Sequence, residues 1–109
     1  MPTNPITQTI PQQDSLIIHL TGTINVVNAP ELRVGLLERI KQYSPKELVL
    51  DLSEVDFVDS SGLGVFIEAR RHLSKDDGAV TFANVREEIR GLMRVMNLDA
   101  VFQFVDDES

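Results

Sequence analysis

The sequence predicts an α/β fold: a mostly parallel sheet with one antiparallel strand at its N-terminal end. Three observations carry that expectation. Two strand-like segments, residues 6–10 and 15–21, are separated by a gap that suits a hairpin. Beyond them, apolar runs of strand length alternate with segments whose apolar residues recur at helical spacing. Pro, Gly and Asn punctuate most boundaries. The element order is β-β-α-β-α-β-α-β, an alternation that closes through right-handed crossovers.

The first strand is expected to end at Pro11 and to lie at an edge, where a missing N–H does no harm. In the second, Leu16, Ile18 and Leu20 share one face and leave Ile17 and His19 on the other. Gly22 is expected to stop it, and residues 23–27 read as a connecting loop. His19 reads as an amphipathic strand residue, with no acid or histidine near it in the chain. Asn28-Ala29-Pro30-Glu31 announces a helix: Asn28 as cap, Pro30 in the first turn, Glu31 as reciprocal partner. Leu32, Leu36, Ile40 and Tyr43 stripe one side of it, and Ser44-Pro45 ends it.

Residues 48–52 form the next apolar run, with Asp51 its one polar member. A helix from Ser60 to about Ser74 follows, with Leu63, Phe66, Ile67 and Leu73 as its apolar stripe. Residues 75–78 have turn chemistry, and residues 79–83 return as a strand. Asn84 is placed to cap a third helix with Glu87 as reciprocal partner. Its buried stripe is expected to be Val85, Ile89, Leu92, Met93 and Met96, with Asn97 as a left-handed stop. Residues 101–104 make the last strand. A single domain over residues 1–109 is expected, frayed at 1–5 and 105–109.

Composition narrows the function classes. The net charge of −7 argues against a nucleic-acid surface, which needs a basic stripe. The absence of cysteine excludes disulfides and thiolate chemistry. With two histidines far apart in the chain, a zinc site is not expected, and no cofactor is. No apolar run reaches membrane-spanning length and the N-terminus lacks the pattern of a secretory signal, so no membrane partner is expected and the reading is cytoplasmic. No exposed apolar stripe is evident, which favours a monomer when unbound.

The chain is organised around the joint Asp59-Ser60-Ser61-Gly62, between the third strand and the second helix. Three readings compete for its serines. Either can cap the helix, its oxygen accepting an otherwise unpaired backbone N–H. That is the favoured reading of the residues alone, because caps are common. Ser60 as a nucleophile would need a base within reach, and no Gly-x-Ser-x-Gly elbow is present. As a phosphorylation switch, the serine would sit at the positive end of the helix dipole, beside the acids Asp51, Glu54, Asp56 and Asp59. A carboxylate pair of Asp56 and Asp59 lacks a substrate pocket, and Gly62-Leu63-Gly64 matches no phosphate-binding loop. Arg86, Arg90 and Arg94 recur at i, i+4, i+8 and read as a solvated face.

The run Leu50-Asp51-Leu52-Ser53 through Val55-Asp56-Phe57-Val58-Asp59-Ser60-Ser61-Gly62-Leu63-Gly64 resembles the signature of STAS domains. Within that superfamily it is similar to the stand-alone anti-sigma factor antagonists of bacteria. Leu20-Thr21-Gly22, Asn28-Ala29-Pro30-Glu31-Leu32, Asn84-Val85 and Leu98 extend the likeness over nearly the whole chain. The resemblance implies a binding module that is not an enzyme, with Ser60 as the phosphorylated serine. It implies partner contacts through Asn25, Asp59, Ser60, Ser61, Gly62 and Leu63. The implied partners are an anti-sigma factor with serine kinase activity, which phosphorylates Ser60 and is thereby released, and a PP2C-type phosphatase that restores the serine. Thr23 and Asn25 stand where the family often carries acids, which bears on any kinase contact through a carboxylate there. A STAS scaffold that does not switch is the alternative, and a small serine hydrolase a remote one.

Overall fold

The computed structural model describes residues 4–106. Five strands alternate with three helices in the expected order: β1 (Ile6–Gln12), β2 (Ser15–Ile24), α1 (Ala29–Tyr43), β3 (Glu47–Val58), α2 (Ser60–Ser74), β4 (Ala79–Ala83), α3 (Glu87–Val95) and β5 (Gln103–Val105). The strands lie in sequence order in one sheet. β1 is antiparallel to β2, and every later pairing is parallel. Side-chain alternation sends Leu16, Ile18 and Leu20 to the same face as Leu48, Leu50, Leu52 and Phe82. There they meet Leu32 and Leu36 of α1, Leu63 and Phe66 of α2, and Ile89 and Met93 of α3. Phe82 centres an aromatic cluster with Phe66, Phe102 and Phe104. The opposite face carries a smaller cluster of Ile17, Val49 and Ala83.

Several local expectations change. β2 does not stop at Gly22. The glycine takes φ +87° at a register shift against β3, so the strand kinks there and continues to Ile24. β1 likewise continues past Pro11 to Gln12, because at the edge of the sheet the missing N–H leaves no partner wanting. β3 is far longer than its apolar run, since exposed Ser53, Glu54, Asp56 and Phe57 alternate irregularly with buried Val55 and Val58. A 3-10 turn at Leu98–Ala100 delays the last strand, and Phe102 packs against the core before it begins.

Asn28 does not cap as expected. Asn28 already has helical backbone angles, and its side chain closes the preceding loop instead. Its Nδ2 donates to the Thr23 carbonyl at 2.7 Å, and its Oδ1 accepts from the Asn25 N–H at 3.0 Å. Asn84 is left-handed, φ +58°, which delays the start of α3 and leaves Arg86 at the cap position with no side-chain cap bond. Asn97 is left-handed as expected. Tyr43, Ile67, Leu92 and Met96 are exposed and do not belong to the buried stripes. Parallel pairing brings His19 and Asp51 opposite each other, with Nδ1 3.3 Å from Oδ2, so the histidine does have an acid beside it. Arg90 lies over the Phe104 ring at 4.5 Å and Arg94 pairs with Glu87, so this row is not simply solvated.

Candidate functional site: the Asp59–Ser60 joint

β2 and β3 run past the end of β4. The β3–β4 pairing stops at Asp51–Ala83, whereas β2–β3 pairing persists to Ile24–Val58. The Asp59-Ser60 joint therefore stands on a two-stranded extension at the carboxyl end of the sheet, where ligands and partners meet open α/β sheets. The Asp59 N–H donates to the Ile24 carbonyl at 3.0 Å and fixes the joint to β2.

Asp59, not a serine, caps α2. Its Oδ1 accepts from the N–H groups of Ser61 at 2.8 Å and Gly62 at 3.2 Å. Its Oδ2 accepts from the Val26 N–H at 3.2 Å, tying the β2–α1 loop to the same carboxylate. The negative group thus sits on the positive end of the helix and satisfies two of its orphan donors. The capping reading of the serines falls with this geometry: Ser60 is the exposed first residue of α2, and Ser61 is half-buried behind it.

The glycines beneath differ in purpose. A Cβ on Gly62 would lie 2.7 Å from both Ile24 Cγ2 and Val58 Cγ1, so the helix approaches the strand ends as closely as a bare Cα allows. Gly64 faces open space. Gly62 and Leu63 are buried beneath the serines, where they pack the first turn of α2 against the strand ends. Asn25 is half-buried, its Oδ1 accepting from the Val27 N–H at 3.0 Å.

Around the serine, Val26 and Val27 are 67% and 62% exposed, and Phe57 is 53% exposed. Reading residues 23–27 as a mere connection missed the two valines; adjacent apolar residues in a polar loop were the available signal. Beside Ser61, a groove of about 300 Å³ runs between Val26, Ala29, Pro30 and Val65. Arg33 also lines it and binds Glu68 with Nε 2.8 Å from Oε1 and Nη2 2.7 Å from Oε2. That hydrogen bond holds the Glu68 carboxyl below its ordinary range and raises the Arg33 guanidinium. Glu54 and Asp56 remain exposed near the joint, and Asp56 accepts from the Thr23 hydroxyl at 3.0 Å. Asp51 does not join them. It is buried in the sheet, accepting from the Ser53 N–H at 2.8 Å.

Neither histidine can act as a base on Ser60. His19 faces Asp51 on the sheet, and His72 lies near Glu68 in the last turn of α2, about 18 Å along the helix from Ser60. Among the described residues no group of three or more His, Asp or Glu side chains is placed to hold a metal ion, and no helix is long and apolar enough to cross a membrane.

A mixed sheet with β1 reversed, helices packed on one face and an exposed serine beside a capping aspartate at a strand-to-helix joint make a small α/β domain. The chain belongs to the STAS domain family, whose model matches residues 4–109. It is similar to the anti-sigma-B factor antagonist of Bacillus subtilis (strain 168), 28% identical over 94 residues that cover 86% of this chain and 82% of that protein. A solved anti-sigma factor antagonist from Mycobacterium paratuberculosis shares the fold at a TM-score of 0.83 and 24% identity, covering 99% of this chain and 92% of that one. The Bacillus cell fate determinant SpoIIAA in its phosphorylated form shares it at a TM-score of 0.71 and 20% identity, over 93% of this chain and 92% of that one.

Proposed function

We propose that this protein is an anti-sigma factor antagonist, a single cytoplasmic domain over residues 1–109 that works by partner switching and catalyses nothing itself. With Ser60 unmodified it binds an anti-sigma factor that is also a serine kinase. Phosphorylation of Ser60 releases that partner, and a PP2C-type phosphatase reverses the change. The contact surface is Asn25, Asp59, Ser60 and Ser61 with exposed Val26 and Val27 beside them, held from below by Gly62 and Leu63.

The observation that carries this reading is the division of labour at the joint. Asp59 takes the capping bonds, which leaves the Ser60 hydroxyl exposed and without a structural task. A phosphate there adds a charge of about −2. The amides of Ser61 and Gly62 already bond Asp59, so the added charge faces outward beside Asp56 and Asp59. Such a change acts on the docking surface more than on the fold. The relatives named as anti-sigma factor antagonists support the same reading.

The test is calorimetric binding to the host's kinase-type anti-sigma factor. Wild type and Ser60→Ala are expected to bind alike, with ATP releasing wild type alone. Ser60→Asp is expected to bind at least about thirtyfold more weakly. Equal binding by Ser60→Asp, indifferent to ATP, would make the protein a scaffold that does not switch.

A further inference from the structure

The chain has three lysines, and all three meet at one place. Lys41 comes from the last turn of α1, Lys46 from the loop entering β3, and Lys75 from the end of α2. They rim a groove of about 740 Å³, with His72 on its wall. Its floor is apolar, made by Leu37, Ile40, Pro45 and Leu73. The groove lies at the far end of α2 from Ser60, about 21 Å along the helix axis.

The lysines differ from five of the seven arginines in what occupies them. Arg33 and Arg94 are in ion pairs, Arg39 and Arg70 donate to oxygens of other residues, and Arg90 lies on Phe104. All three lysines are exposed, and among the described residues no ion pair holds any of them. Complementing helix C-termini accounts for Lys41 and Lys75 alone. Those ends are already closed by backbone bonds, Ser44 N–H to the Ile40 carbonyl and Gly78 N–H to the Leu73 carbonyl. Lys46 belongs to neither helix. In a chain of net charge −7, unpaired cations from three elements converge over an apolar floor, with Asp76 the one acid on the wall.

We propose that this groove is a second docking surface, which takes an acidic partner segment carrying an apolar anchor residue. The anchor lies on the Leu37–Leu73 floor, and its neighbouring carboxylates meet the lysines. The apolar contact and the charge rim together give an interaction that weakens with salt. Its distance from Ser60 lets both surfaces be occupied at once, so the domain can bridge two partners whatever the state of the serine.

The probe is the labelled heptapeptide Glu-Glu-Leu-Asp-Leu-Glu-Glu, titrated into the full chain at low salt and followed by amide NMR shifts. Saturable shifts are expected at residues 37–46 and 72–76, persisting in Ser60→Asp. Lys46→Glu with Lys75→Glu is expected to weaken binding at least about tenfold, and the Lys-for-Glu version of the peptide is expected not to bind. The thermal midpoint of the double variant reports that it is folded, and Lys46→Gln with Lys75→Gln gives a milder step in the same direction. Absence of shifts at millimolar peptide, or shifts confined to the Ser60 end, would overturn the proposal. A lysine-dependent response to a single-stranded oligonucleotide without one to the peptide would overturn it in favour of a nucleic acid. Because the Ser60→Asp arm is read separately, failure here leaves the partner-switch reading standing, and the reverse also holds.

Discussion

Of the three strand-to-helix joints at one end of the sheet, those that open α2 and α3 are built differently. At the first, the Asp59 carboxylate accepts from Ser61, Gly62 and Val26 and locks α2, β3 and the β2–α1 loop into one unit. At the second, Asn84 turns left-handed and Arg86 occupies the cap position without a side-chain cap bond of its own. Glu87 and Glu88 complement the helix dipole there without forming a cap, and Ile89 and Met93 hold the helix from its buried side. A serine offered to a partner, as proposed above, needs a fixed helix start, whereas α3 is held chiefly by its buried face.

The largest effects are expected at the Asp59–Gly62 joint. Gly62→Ala places a methyl group against Ile24 and Val58, both β-branched and stiff, and is expected to cost about 2–3 kcal/mol in urea unfolding. Gly64→Ala, two residues on and facing open space, is expected to gain about 1 kcal/mol by the same measurement. Equal effects at the two glycines would show that the close approach of α2 to the strand ends is unimportant. Asp59→Ala removes a cap and the tie to Val26 together and is expected to cost about 2 kcal/mol, with the largest amide-shift changes at residues 25–28 and 60–63. At the start of α3 the sign reverses. Arg86 already has the extended backbone a cap wants, φ −63° and ψ 147°, so Arg86→Asp is expected to gain about 1 kcal/mol.

The smallest effect lies on the wall of the groove beside Ser61. Arg33 depresses the Glu68 carboxyl, so the charged form is favoured in the folded state. Stability from this pair is present above the ordinary carboxylate value of 4.5 and is lost as the pH falls through the lower, folded value. Wild type and Glu68→Gln are expected to differ slightly at neutral pH and to converge in acid. A difference that grows as the pH falls would contradict the pairing.

Much of this architecture was legible in the chain, and what was not has physical causes. Helix stripes and strand runs located all eight elements because burial on one face imposes its own period, as in Leu16, Ile18 and Leu20 or Leu63 and Phe66. Caps were harder to read. Asn28 and Asp59 are both capable acceptors, and their backbone angles and tertiary neighbours, invisible in sequence, decide that Asp59 caps a helix while Asn28 closes a loop. The family resemblance singles out Ser60, but the reason its hydroxyl is exposed, Asp59 holding the amides, emerges when the loop bearing Val26 folds across. The His19–Asp51 contact and the lysine groove join residues distant in sequence, and no local pattern marks them.

The most direct measurement maps the phosphate after incubation with the host's kinase-type anti-sigma factor and ATP, using intact mass and fragmentation of the peptide containing residues 57–70. One phosphate is expected, on Ser60, with none on half-buried Ser61 and none at all in Ser60→Ala. Phosphate on Ser61, or an unmodified chain with an active kinase, would contradict the division of labour between Asp59 and Ser60 on which the account rests.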